Sequence, residues 1–123
     1  MKARPKYLNL LQIRQPVPAI VSILHRISGA ALFLFLWLFL AGLQKSLASP
    51  ESFADVKATL GHPLVKLLLI GFLWAYLHHL FAGLRHLGLD LRLGTDLRQA
   101  RATSFAVLAA GLGLTLVLGF LLW

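Results

Sequence analysis

The chain has no cysteine, one methionine and only four acidic residues among its 123. Without cysteine it forms no disulfide, no thiolate metal site and no iron–sulfur cluster of its own. Charge of either sign is scarce. Charged residues make up 13% of the chain and hydrophobic ones 59%, against about 25% and about 45–50% in soluble domains. With a mean hydropathy of +0.79, the composition excludes an ordinary water-soluble globule and points to an integral membrane protein. No internal repeat or low-complexity run interrupts it, and the length suits a single domain, residues 1–123.

The expected fold class is an all-α membrane protein with three transmembrane helices, at about residues 19–44, 63–89 and 104–123. A bilayer core of about 30 Å needs roughly 20 residues of helix, and each apolar segment supplies them. Residues 1–18 form a polar lead that ends at Pro16 and Pro18. That lead is too long, and the apolar run after it too extended, for a cleaved signal peptide, so the first segment is expected to stay as a span. The run QKSLASPESF belongs to the first connection and Asp90 to Thr103 to the second.

Positive charge is partitioned. Lys2, Arg4, Lys6, Arg14, Arg26, Arg85, Arg92, Arg98 and Arg101 fall on one side of this arrangement, while Lys45, Lys57 and Lys66 fall on the other. Nine basic residues against three put the N-terminus and the second connection in the cytoplasm and the C-terminus in the periplasm. Topology and attraction to anionic membrane lipid account for the basic surface. Nucleic-acid binding is excluded as a reading, because nothing resembles a folded basic domain.

Ionisable residues inside the apolar segments carry the chemistry. HHLFAGLRHLGLD, from His78 to Asp90, ends the second segment. At about 100° per residue, with His79 at zero, Gly83 lies near about +40°, His86 near about −20° and Asp90 near about +20°. His78 and Arg85 lie near about −100° and about −120°, on another face. His79 sits about 4.5 Å past the middle of the segment, while His86 and Asp90 reach its rim. An imidazole at that depth needs a partner. It is either an axial ligand to a haem iron, with Gly83 leaving room for the macrocycle, or a packing residue hydrogen-bonded to another helix. His78 is assigned to packing, Trp74 and Tyr76 to core and interface, and His62 to a solvated or capping role.

SILHRISG, from Ser22 to Gly29, gives the first segment the same character. Ser22, His25, Arg26 and Gly29 fall within one arc of about 100° at the cytoplasmic end. A hydroxyl, an imidazole and a guanidinium there suit quinone carbonyls or haem propionates. Ser22 is equally well read as a helix cap and Arg26 as a snorkelling cation.

These residues resemble the cytochrome b membrane-anchor subunit of succinate dehydrogenase, respiratory complex II. The likeness rests on Arg4-Pro5, on the S-x-x-H-R-x-S run of Ser22, His25, Arg26 and Ser28, and on H-x-x-x-G-L-R-H-L-x-x-D from His79 to Asp90. It implies that His79 is an axial ligand of one haem b, whose second axial histidine comes from a partner anchor subunit. It implies a ubiquinone site at Ser22 and Arg26, with haem-propionate or rim contacts from His25, Arg26, Arg85, His86 and Asp90. It further implies an iron–sulfur subunit and a flavoprotein subunit as partners, a bacterial inner-membrane location, and no chemistry on succinate by this chain itself. Leu89 and Arg92 depart from the family pattern, which usually has an aromatic residue or methionine at the first and a small residue at the second. A fumarate reductase anchor is the nearest alternative. A haem-free helical component for assembly or transport is the alternative of a different class.

Overall fold

The computed structural model of the chain describes residue 9 and residues 12–123. The Arg4-Pro5 pair, Lys2 and Lys6 lie outside the described residues. Four helices follow one another: α1 (Val17–Ser46), α2 (Pro50–Gly61), α3 (Pro63–Asp90) and α4 (Leu97–Leu122), with no strand among the described residues. The three long helices, of 30, 28 and 26 residues, are each apolar enough to cross a membrane. At about 1.5 Å per residue they are roughly 39–45 Å long, more than the hydrocarbon core requires.

Local chemistry explains where each helix starts. Pro16 and Pro18 fall at the start of α1, where the missing N–H groups have no intrahelical acceptor to lose, and Pro16 O accepts from Ala19 N and Ile20 N. Ser49 and Ser52 form a reciprocal capping box at α2, with Pro50 following and Glu51 in the first turn. The Glu51 carboxyl is held below the usual glutamate range, first by the backbone N–H of its own residue and then by the Ser49 hydroxyl. His62 ends α2 and caps α3 through Nδ1, which accepts from Leu64 N. Asp96 caps α4 through its contact with Arg98 N.

Two features go beyond the expected spans. α2 occupies most of the first connection, and α4 begins at Leu97, about two helical turns before the expected third span. In both places a side-chain cap starts a helix in polar sequence that hydropathy alone passes over.

α3 is the central helix, packed against α1 on one side and α4 on another, while α2 lies against α1 and α3. Val21, Ala82 and Val107, one from each span, form a buried cluster flanked by Phe81 and Leu108. The buried stripe of α4 is Ser104, Val107, Gly111, Thr115 and Gly119. Small residues at this spacing let two helix backbones approach. A Cβ at Gly111 would stand 3.5 Å from His78 Cα, and one at Gly119 would stand 3.5 Å from Ile70 side-chain carbons. The stripe's hydroxyls satisfy themselves: Ser104 Oγ donates to Ala100 O at 2.7 Å and Thr115 Oγ1 to Gly111 O at 2.6 Å. Large apolar side chains face outward, with Leu34 70% and Trp37 69% exposed. In the membrane, lipid or another chain covers them.

Candidate functional site

Antiparallel packing of α1 and α3 brings the two ionisable patches of the sequence together. The His25 ring stacks on the His79 ring, with centroids 4.1 Å apart and planes 10° from parallel. It also meets the His86 ring at 5.0 Å in a tilted arrangement. His25 therefore joins two histidines that lie two turns apart on α3.

The hydrogen bonds of His79 decide its tautomer. Nδ1 lies 3.0 Å from the His25 carbonyl oxygen and 3.3 Å from Ser28 Oγ. Ser28 Oγ donates its proton to the same carbonyl at 3.0 Å. A carbonyl oxygen only accepts, so in the neutral ring Nδ1 is the donor. The lone pair is then on Nε2, which has no hydrogen-bond partner among the described residues.

His79 and Gly29 sit at the edge of an apolar groove of about 840 Å³. Leu36, Phe39, Phe72 and Tyr76 line its middle, with Lys66 and Trp123 at its far end. Lys66 Nζ donates to Trp123 O at 2.7 Å there and lies over the indole ring. The volume is within the range of about 300–1,000 Å³ usual for cofactor pockets. No group of three or more histidine, aspartate or glutamate residues capable of holding a bare metal ion is assembled among the described residues. What the groove offers is one imidazole nitrogen beside a large apolar surface, the donor set of a macrocycle-bound iron with one ligand from this chain.

The other sequence-singled residues divide. His86 meets the other side of the histidine group through its tilted contact with the His25 ring. Asp90 ends α3 and is exposed. Arg85 turns to α4, where Nε donates to Thr103 Oγ1 at 3.1 Å and Nη2 to Ala100 O at 3.3 Å. It is thus a contact between helices at the rim rather than a group aimed at the groove. Arg26 is exposed, with no hydrogen bond or ion pair among the described residues, and Ser22 is half-buried without a side-chain hydrogen bond. Ser22 is not a helix cap, because α1 starts at Val17 and Ser22 lies in its second turn. Gly83 is not open toward the groove either: a Cβ there would meet His25 Nε2 at 3.5 Å, so its space belongs to the His25 ring.

His78 is fully buried and faces away from the stack, against the α4 backbone at Gly111 and the Trp74 ring at 5.4 Å. It faces the Val21 carbonyl without meeting the geometry of a hydrogen bond, and both ring nitrogens lack a partner among the described residues. Sequence reasoning missed the roles of Ser28 and Gly29. Ser28 is 3% exposed in a helix whose flanking Ile27 is 59% exposed, so a buried hydroxyl in an apolar span was the available signal.

Fold and site together define a multi-pass helical membrane protein that presents a single free imidazole to an apolar groove between two of its spans. The succinate dehydrogenase/fumarate reductase transmembrane subunit family matches residues 1–118. The chain is 37% identical over 121 residues to the succinate dehydrogenase cytochrome b556 subunit of Coxiella burnetii, covering 98% of this chain and 97% of that one. It is 36% identical over 114 residues to the cytochrome b556 subunit of Paracoccus denitrificans, covering 93% and 88% of the two chains. The subunit of Rickettsia typhi is 28% identical over 120 residues, 94% of this chain and 90% of that one. The chain belongs to the succinate dehydrogenase/fumarate reductase transmembrane subunit family.

Proposed function

We propose that the chain is the cytochrome b anchor of a succinate dehydrogenase in a bacterial inner membrane, its N-terminus cytoplasmic and its C-terminus periplasmic. In this reading it helps to hold one haem b and to build a ubiquinone-reduction site. The observation that carries the reading is the His79 tautomer: Nδ1 is tied to α1, which leaves the Nε2 lone pair free beside an apolar groove. His79 Nε2 would hold the iron, and a second anchor subunit would supply the other axial histidine. When bound, haem b supplies one-electron transfer.

The chain's own residues do the positioning. Arg26 is an exposed guanidinium with no anion of its own among the described residues, so it is available to a quinone carbonyl or a haem propionate. Ser22, one turn earlier, adds a hydroxyl to the same patch. Reduction of the quinone to quinol takes two electrons and two protons. The electrons come from succinate through a flavoprotein and an iron–sulfur subunit docked on the cytoplasmic side. The protons come from water at the rim, where His86 and Asp90 end the histidine line. This chain breaks no bond of succinate.

The test is a reduced-minus-oxidised absorbance spectrum of the purified complex. His79→Ala should remove most of the b-type band while His78→Ala keeps it. Equal retention in both variants would overturn the assignment of His79. Arg26→Leu should abolish quinone reduction while succinate oxidation by an artificial acceptor survives. Full quinone reduction in that variant would refute the role of Arg26.

A further inference from the structure

We infer that Ser28 and Gly29 of α1 are positioning residues for His79, fixing which ring nitrogen faces the groove and how the ring plane is held. The inference rests on the reading that His79 binds haem iron. It concerns what α1 contributes to that binding without touching the cofactor.

Three contacts hold the imidazole, and all of them come from the Val17–Ser46 helix. The His25 carbonyl accepts from Nδ1, Ser28 Oγ stands as a second acceptor, and the His25 ring stacks on the His79 ring. The His25 carbonyl, which can only accept, favours the ring with its proton on Nδ1, and Ser28, whose hydroxyl donates to that same carbonyl, holds the carbonyl in place and offers Nδ1 a second acceptor. A ring with Nδ1 unprotonated would set its lone pair against the carbonyl oxygen in a poorly solvated place, which is costly. Partners of this kind behind a metal-binding histidine orient the ring and raise the basicity of the ligating nitrogen.

Gly29 provides the clearance. A Cβ built on its backbone would stand 2.6 Å from His79 Cε1, 3.1 Å from Nδ1 and 3.6 Å from Nε2. Carbon atoms in contact prefer about 3.5–4.0 Å. The ring cannot withdraw without breaking the Nδ1 tether and the stack on His25. A methyl group at position 29 therefore has to rotate the imidazole or push α1 from α3. Gly111 is a built-in contrast. It is the more buried glycine, yet a Cβ there would make contacts no closer than 3.5 Å.

The test uses the whole purified complex with its haem, in three variants: Ser28→Ala, Gly29→Ala and Gly111→Ala. Two readouts are taken: the rate of haem loss to an excess of a haem-scavenging protein, and the largest g value of the ferric low-spin EPR signal, which reports the planes of the axial imidazoles. Loss of a partner behind a metal ligand lowers affinity by about 10–100-fold. Ser28→Ala should thus lose haem at least about tenfold faster with a shifted g value, and Gly29→Ala should do so more severely. Gly111→Ala should match the parent in both. Parental haem loss and parental g values in Ser28→Ala and Gly29→Ala would overturn the inference. If Gly29→Ala does not assemble, Ser28→Ala, which only removes an atom, still decides. His79→Ala run alongside separates the two claims: a b-type band that survives it refutes the ligand reading itself, whatever the α1 variants do.

Discussion

Replacing Arg92 by alanine and by glycine should separate two effects at the end of α3. After the C-cap Leu91, Leu93 N donates to Gly88 O and Arg92 N to Leu89 O, each at 2.9 Å, the pair of bonds that defines a Schellman ending. Arg92 supplies the left-handed residue of that motif, with φ of 60°. A side chain bearing Cβ costs about 1–2 kcal/mol in this conformation. Glycine avoids that cost but has about 0.4–1 kcal/mol more unfolded-state entropy to lose. Both substitutions remove the guanidinium beside the helix C-terminus, so its favourable interaction with the macrodipole, about 0.3–1 kcal/mol, cancels in the comparison. Arg92→Gly should therefore be more stable than Arg92→Ala by about 1 kcal/mol, a roughly fivefold change in the unfolding equilibrium. The assay is reversible unfolding in mixed detergent micelles followed by far-ultraviolet circular dichroism. Ala110, exposed in the middle of α4, is the control. There Ala110→Gly should be less stable than the parent by about 1 kcal/mol. If Arg92→Ala equals or exceeds Arg92→Gly, the left-handed ending of α3 is refuted.

Gly119→Ala should be tolerated and should raise stability by about 0.5–1 kcal/mol, because the added methyl meets Ile70 at 3.5 Å and alanine is the better helix former. Gly119→Leu should lower it by separating α4 from α3, and melting of the same micellar protein compares the two. Ser49→Ala should cost about 1 kcal/mol of helix stability by opening the α2 capping box, seen as faster amide exchange over Ser52 to Val56. Glu51 carries a pH dependence of known sign. Its depressed carboxyl stabilises α2 above the unfolded glutamate value, and that stabilisation is lost as pH falls through the folded value, so a spin label at Lys57 should become more mobile in acid. Unchanged label mobility across that range would show that the carboxylate does not support α2.

The spans were legible because hydropathy accumulates over some twenty residues and tolerates local exceptions. α2 was missed because its polar face masks the helix, although Ser49-Pro50-Glu51 is a complete start signal; Asp96 before Leu97 is another. Helical periodicity separated His79 and His86 from His78, and the packing keeps that division. Packing adds two finer points. The gap at Gly83, expected to clear space for a cofactor, accommodates His25. Ser22, His25 and Arg26 share one arc, and because the buried edge of α1 runs through Val21 and Ser28, Arg26 is left exposed. Periodicity describes one helix at a time. Which edge meets a neighbour is set by packing, and so are the contacts of Ser28 and Gly29 with a ring 51 and 50 positions away.

The principal tether of His79 ends on the main-chain oxygen of residue 25, which every amino acid possesses. A scan that replaces side chains one by one leaves that acceptor in place. The imidazole of His25 can consequently be exchanged or recruited to other work without removing that acceptor, and the cost of such a change reflects the ring's own contacts with His79, His86 and Gly83. A substitution survey would thus underrate position 25, where the indispensable atom is one that mutation does not reach.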